Sequence, residues 1–310
     1  LGKSIPPPGY IQLFPTFRCN LSCGFCFNRG IAQTAEISIR DFERLIEKMR
    51  NAGIKELDIL GGEPTLHSGF VSLLDIACRN DIRTTISSNG TNVSALENIS
   101  RKFENSPVRV GISVNTGIVS PELHEYIVQY RPVIKSVCTR DLTFPQPVRR
   151  YLGSQDIGCF LLYMDVVRHE ELPESQPFPQ FLKRLNMLKQ EYRNVNGVFC
   201  SGFIPDADTY PALSTVKCPA GTTKISVMPD GSVYPCYLFF RDEEFRLGNI
   251  LEDDFAAIWN SPVLDFFRRF DGNTCPDTSC EIRGQCHGGC PAVSYLLCGD
   301  LKVPDPRCVP

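Results

Sequence analysis

Residues 10–26 read YIQLFPTFRCNLSCGFC. Tyr10 to Phe14 predicts a strand, and just beyond it the chain delivers Cys19, Cys23 and Cys26 in the spacing C-x3-C-x2-C. Three thiolates this close together wrap one inorganic cluster more readily than they pair, because disulfide geometry and an odd count both resist pairing. Three ligands on a four-iron cube leave one metal position open to a cofactor or substrate, whereas closed four-ligand sites are structural or carry electrons. A zinc site completed by a histidine or a distant cysteine has similar local spacing and stands as the alternative.

Working outward, short apolar runs alternate with amphipathic stretches. Helix is expected over Ser38 to Ala52, where Ile39, Phe42, Leu45, Ile46 and Met49 follow the spacing of one buried face. Ser38 is the expected N-cap and Gly53 the stop. Leu57 to Leu60, Thr84 to Ser87, Val108 to Val114, Val133 to Val137, Cys159 to Val167 and a segment near Val198 to Phe203 read as strands. Phe70 to Cys78, Val93 to Phe103, Glu122 to Tyr130 and Phe178 to Tyr192 read as helices between them. Such alternation implies parallel strands joined by crossover helices, in an open or closed β/α barrel whose chemistry sits at the C-terminal strand ends. Gly61-Gly62-Glu63-Pro64 follows the second strand and Ser88-Asn89-Gly90 the third, while Ser113 to Asn115 ends the fourth. Glycines there let backbone approach a ligand closely, and a carboxylate accepts hydrogen bonds from an ammonium group. His67 and Asp165, also near strand ends, read as structural.

The pattern changes near residues 205–217, so domains are expected over 1–210 and 211–310. Ile225 to Met228, Pro229-Asp230-Gly231 and Val233 to Cys236 read as a β-hairpin opening the second domain. Phe255 to Trp259 and Val263 to Phe270 read as short helices. Beyond Gly272 cysteine, glycine and proline dominate, and such a chain needs a staple to order it.

Composition narrows the class. The chain has 310 residues, 42% hydrophobic and 22% charged, with a formal net charge of -3. No basic run marks a nucleic-acid binder, and no apolar stretch approaches the roughly 20 residues that span a bilayer. The opening LGKSIPPP has no apolar signal-peptide core. Fifteen cysteines, an odd number, argue against a disulfide framework and for metal sites in a reducing cytoplasm. Eight of them follow residue 210: Cys218, Cys236, Cys275, Cys280, Cys286, Cys290, Cys298 and Cys308. Cys78, Cys138, Cys159 and Cys200 fall in helix or strand patterns and read as core packing.

C-x3-C-x2-C after the first strand, followed one helix later by GGEP, resembles the radical S-adenosylmethionine (SAM) superfamily. The resemblance implies a [4Fe–4S] cluster on Cys19, Cys23 and Cys26 whose free iron is chelated by SAM. It implies reductive cleavage of SAM to a 5′-deoxyadenosyl radical that takes a hydrogen atom from a substrate. Phe25 would pack near the adenine, Gly61, Gly62 and Glu63 would hold the SAM amino group, and Ser88, Asn89, Ser113 and Asn115 would meet the ribose and methionine carboxylate.

The later cysteines, with Gly231-x4-Cys236, Leu247-Gly248-Asn249-Ile250 and Cys280-x5-Cys286-x3-Cys290, resemble the SPASM domain, which carries two auxiliary [4Fe–4S] clusters. Carried over, Cys218, Cys236 and Cys290 would hold the first, and Cys275, Cys280, Cys286 and Cys308 the second, with Cys298 a rival for the last place. Two departures stand out. Cys275-x4-Cys280 replaces the family's C-x2-C, and nothing near Cys218 offers the first cluster a fourth ligand, so an open or non-cysteine position is expected there. Tyr237 occupies the place of an Asp proposed as base in sulfatase-maturing members, and a neutral phenol is a poor base.

The net reaction expected from this resemblance is modification of a ribosomally made peptide or protein, with a small molecule such as a haem precursor or sugar as the alternative. No recognition domain is expected ahead of the barrel, so a peptide would come with a partner or dock in the cleft. An electron donor such as flavodoxin or ferredoxin is expected; nucleic acid and membrane are not. A different class, an iron–sulfur electron carrier or zinc-stabilised binding module, has no use for the strand-end set around Glu63 and Asn89.

Overall fold

The computed structural model describes residues 5–31, 35–115, 117–199, 218–273, 275–283 and 286–308. Cys200 and most of the strand expected to run to Phe203 lie outside the described residues.

The alternation is present. It runs β1 (Tyr10–Leu13), α1 (Ile39–Asn51), β2 (Glu56–Ile59), α2 (Phe70–Arg79), β3 (Arg83–Ser88), α3 (Val93–Lys102), β4 (Val108–Ser113) and α4 (Pro121–Tyr130). It continues with β5 (Val133–Cys138), β6 (Cys159–Tyr163), α5 (Phe178–Glu191) and β7 (Val195–Val198). These seven strands pair in parallel and in sequence order. In α1 the Ser38 hydroxyl accepts from the Asp41 N–H at 3.0 Å, and Phe42, Leu45, Ile46 and Met49 are buried. Each such burial is worth about 1.5–3 kcal/mol. Ile39, expected on that face, is instead exposed at its edge.

The strand expected over Cys159 to Val167 stops at Tyr163. Its neighbour β5 ends at Cys138, opposite Tyr163, so the ladder has no further partner. Val167 and Arg168 instead donate their N–H groups to Glu171 Oε2, which turns the chain away.

The C-terminal hairpin forms around its Asp-Gly turn, as β8 (Lys224–Val227) and β9 (Ser232–Tyr234), with Gly231 at φ +83°. The turn does not dictate where the hairpin docks. β8 pairs in parallel with β1, Ile11 opposite Ile225, and β9 pairs with β10 (Gly248–Asn249). The result is one ten-stranded sheet in the order β10-β9-β8-β1-β2-β3-β4-β5-β6-β7. Its two ends are β10 and β7, so among the described residues the barrel is partial.

The helices α6 (Phe255–Trp259) and α7 (Leu264–Arg269) match expectation. α8 (Pro291–Cys298) is an addition to it. Ala292, Val293, Ser294 and Leu297 are all buried, so the segment shows no polar face to betray a helical period. Its local signals are Pro291 at its start and Gly299, at φ +72°, after its end.

Candidate active site

The loop carrying Cys19, Cys23 and Cys26 follows β1 at the C-terminal end of the barrel. Burial, and then the nearby Cys26 and Cys19 sulfurs, pushes the Cys23 thiol up. Burial likewise pushes up Cys26, against the pull of the Asn28 backbone N–H and with a contribution from Cys19. All three cysteines stand on one short loop at the barrel mouth.

The GGEP turn is what holds this loop in place. Gly62 N–H donates to Thr16 O at 3.0 Å and Glu63 N–H to Arg18 O at 2.7 Å. A Cβ on Gly62 would lie 2.1 Å from Arg18 O, and one on Gly61, at φ +130°, would lie 2.6 Å from Thr16 O. The glycines thus allow the strand end to lie on the backbone that leads into Cys19. The close approach is to the chain itself.

Glu63 is fully buried. Its Oε1 accepts from Thr65 N–H, the Thr65 hydroxyl at 2.8 Å and the Ser88 hydroxyl at 2.9 Å, and its Oε2 accepts from Asn89 N–H at 2.6 Å. The carboxylate braces the end of β2 against the end of β3. Asn89 then reaches the loop: its Nδ2 donates to Asn20 Oδ1 at 2.9 Å and lies 3.8 Å from Cys19 Sγ. Phe25 is partly buried against the core. Ser113 ends β4, and Asn115 Oδ1 accepts from Val137 N–H at 2.8 Å, fastening β4 to β5. So Cys19, Gly61, Gly62, Glu63, Ser88 and Asn89 form one bonded patch, and Ser113 and Asn115 stand further round the same barrel end.

Asn28 joins the site from outside the motifs. Its Nδ2 donates to Gly61 O at 2.9 Å, while its Oδ1 is buried with no partner. An orphaned acceptor between Cys26 and the GGEP turn suits a cofactor that brings an ammonium group. Three clustered thiols and this acceptor fit a cluster with SAM. In sequence, only nearness to Cys26 marks this residue.

Inside the barrel lies a cavity of about 610 Å³, whose walls include Gln12, Asp58, Asp165, Lys224, Tyr237 and the three cysteines Cys218, Cys236 and Cys290. Gln12 organises its floor. It donates to Asp58 Oδ2 at 3.2 Å and accepts from Lys224 Nζ at 3.0 Å and the Ser226 hydroxyl at 3.3 Å. Burial pushes the Asp58 carboxyl up, against the pull of Lys135. Tyr237 donates its phenol hydrogen to Asp165 Oδ2. Burial, then the Asp165 charge, holds that phenol well above its ordinary range. The Tyr237 ring packs 4.6 Å from Phe27, one residue past Cys26, so it joins the cysteine loop to the cavity. Asp165, which reads as structural in sequence, is thus a wall of the chamber, and nothing in the spacing of residues 165 and 237 announces their contact.

A second cavity, about 1380 Å³, is walled in part by Cys275, Cys280, Cys286 and Cys308. Burial pushes Cys286 up, and Cys275 and Cys280 add to it. Burial and the nearby Asp305 push Cys308 up to about 12, with a further contribution from Cys286. Cys298 is exposed and shares neither cavity. Among the described residues no three His, Cys, Asp or Glu converge on a single metal ion. Cys138 and Cys159 are fully buried, and Cys78 is half-buried. Among the described residues, no helix is long and apolar enough to cross a membrane.

Comparison with known proteins agrees with this geometry. The radical SAM superfamily profile matches residues 13–133, and that of SPASM, an iron–sulfur cluster-binding domain, matches residues 218–290. The chain is 25% identical to the antilisterial bacteriocin subtilosin biosynthesis protein AlbA of Bacillus subtilis, covering 93% of this chain and 68% of that protein. It is 25% identical to mycofactocin maturase MftC of Mycobacterium ulcerans (95% and 86% covered) and 23% identical to PqqA peptide cyclase of Gluconobacter oxydans (97% and 90%). The SAM-bound structure of SuiB from Streptococcus suis superposes with a TM-score of 0.74 at 22% identity, covering 98% of this chain and 78% of that one. With its thiol loop, its strand-end bracing and both profiles in register, this chain belongs to the radical SAM superfamily and carries a C-terminal SPASM domain.

Proposed function

We propose that this radical SAM enzyme matures a ribosomally made peptide or protein, using one SAM-binding [4Fe–4S] cluster and two auxiliary [4Fe–4S] clusters. The relatives named a peptide cyclase, a maturase and a bacteriocin biosynthesis protein support the substrate class. One observation carries the reading: three thiols share one short loop at a barrel mouth, hydrogen-bonded through Asn89 and the GGEP turn to the ends of β2 and β3.

When bound, the cluster and SAM supply a 5′-deoxyadenosyl radical that removes a hydrogen atom from the substrate. The chain's own residues do the rest. Cys19, Cys23 and Cys26 would hold the cluster at three corners and leave one iron for the cofactor. Asn28 Oδ1 would accept from its ammonium group, with Glu63 keeping the GGEP turn rigid beside it. Phe25, Asn89, Ser113 and Asn115 would line the cofactor's path along the strand ends, and the buried Ser88 would act through its hydrogen bond to Glu63. Phe14, Phe17 and Phe27 pack about the loop and exclude water. In the chamber, Asp165 holds a carboxylate oxygen to the Tyr237 phenol and offers its other oxygen to a proton leaving the substrate. The absence of an Asp at position 237 therefore does not leave the chamber without a base.

Cys218, Cys236 and Cys290 hold the first auxiliary cluster, with no fourth cysteine among the described residues lining that chamber. Cys275, Cys280, Cys286 and Cys308 hold the second. A flavodoxin or ferredoxin is the expected reductant. The test is anaerobic reconstitution with dithionite and SAM, followed by a precursor peptide. Release of 5′-deoxyadenosine and a mass change in the peptide are expected. A chain loaded with iron at Cys19, Cys23 and Cys26 that releases none sinks the reading.

A further inference from the structure

Asp305 and Arg307 form a buried pair with side-chain exposures of 1% and 2%. The guanidinium grips the carboxylate with two prongs, Nε to Oδ1 at 2.9 Å and one terminal nitrogen to Oδ2 at 2.6 Å. Its other terminal nitrogen donates to Met164 O at 2.6 Å, and its plane lies 4.5 Å from the Tyr163 ring, so the pair is anchored to the barrel just beyond β6.

The pair is also tied to both groups of late cysteines. Asp305 Oδ2 accepts from Cys290 N–H at 2.9 Å, and Asp305 O accepts from Cys308 N–H at 3.0 Å. Arg307 is within electrostatic reach of the Cys290 sulfur on one side and of Cys308 on the other. It stands in the walls of both cavities. Gly289 makes the approach possible: at φ +92°, a Cβ there would fall 2.2 Å from Asp305 Cβ.

We propose that Asp305 and Arg307 are positioning residues that fasten the two auxiliary cluster sites to each other and, as fixed charges between them, set both reduction potentials. This rests on the two-auxiliary-cluster reading above. Reduction adds negative charge to a cluster. A buried cation beside it favours the reduced form and raises the potential; a buried anion does the reverse. The double tether lets one pair act on both sites, whereas a neutral packing contact would carry no sign.

The test uses the full chain, reconstituted anaerobically and titrated with electron paramagnetic resonance as the readout. Asp305→Asn leaves a lone cation and raises both auxiliary potentials. Arg307→Gln leaves a lone anion and lowers both. The cluster at Cys19, Cys23 and Cys26 keeps its potential in each variant, and the double variant returns both auxiliary values toward wild type. Shifts of the same sign in the two single variants, a shift in one auxiliary cluster alone, or no shift overturn the proposal. Where a single variant loses auxiliary iron, Arg307→Lys decides, because it keeps the charge and loses the fork. Auxiliary iron with near-wild-type potentials supports the proposal. Loss of that iron in both Arg307→Lys and the double variant shows packing alone and overturns it. A wild-type chain that binds iron at one cluster only overturns the reading beneath it, a result distinct from all of these.

Discussion

The two ends of the chain gather thiols by different means. At the N-terminal end, three cysteines sit within one short loop, and neighbouring strand ends hold that loop by backbone and amide hydrogen bonds. At the C-terminal end, Cys218, Cys236 and Cys290 come from three separate segments, and Cys308 joins the Cys275–Cys286 stretch from beyond α8, with the Asp305–Arg307 pair tying the two groups together. A loop that carries its own ligands can leave a corner of its cluster open to a cofactor. An array assembled from distant segments places its sulfurs only after the surrounding core has formed.

That contrast can be broken in order of size. Cys23→Ala should abolish 5′-deoxyadenosine release while auxiliary iron remains, measured by product assay and iron content on the same sample. Retained release would mean the N-terminal loop is not the reaction centre. Gly62→Ala forces a Cβ onto Arg18 O and should cost about 3 kcal/mol, with loss of the N-terminal cluster alone. A denaturant titration paired with iron analysis checks it, and an unchanged midpoint would show that the turn does not brace the loop. Asp165→Asn should lower peptide product formed per 5′-deoxyadenosine released by roughly 100-fold, the scale of a lost general base. An unchanged ratio would leave Tyr237 and Asp165 as packing. Cys298→Ser should change nothing, whereas Cys308→Ser should remove iron from the second auxiliary cluster. Equal iron losses in the two variants would put Cys298 back among the ligands.

Much of the N-terminal half is legible in the amino-acid sequence. Its helices announce themselves by period and cap, as Ser38 and the buried face of α1 show. Its three clustered cysteines lie so close in sequence that spacing alone points to a shared site. The C-terminal half is less legible. α8 carries no charged residue, so no charged face marks its period, and the choice between Cys308 and Cys298 depends on which of them the fold turns toward the second cavity. Glu63 is recognisable as a strand-end residue, yet only the pairing of β2 with β3 brings it the Ser88 hydroxyl and the Asn89 N–H; its two bonds from Thr65 are local to the turn.

Sequence by itself determined the barrel's alternation, the three-thiol loop, the GGEP turn and the hairpin with its Asp-Gly corner, because each is a local pattern whose geometry is encoded within a few residues. The tertiary structure decided that β8 joins β1, that Asp165 meets Tyr237, and that one buried ion pair stands between two groups of cysteines. Those facts depend on which surfaces meet when the core closes, and burial of distant segments against one another leaves no mark on the spacing of the residues that end up in contact.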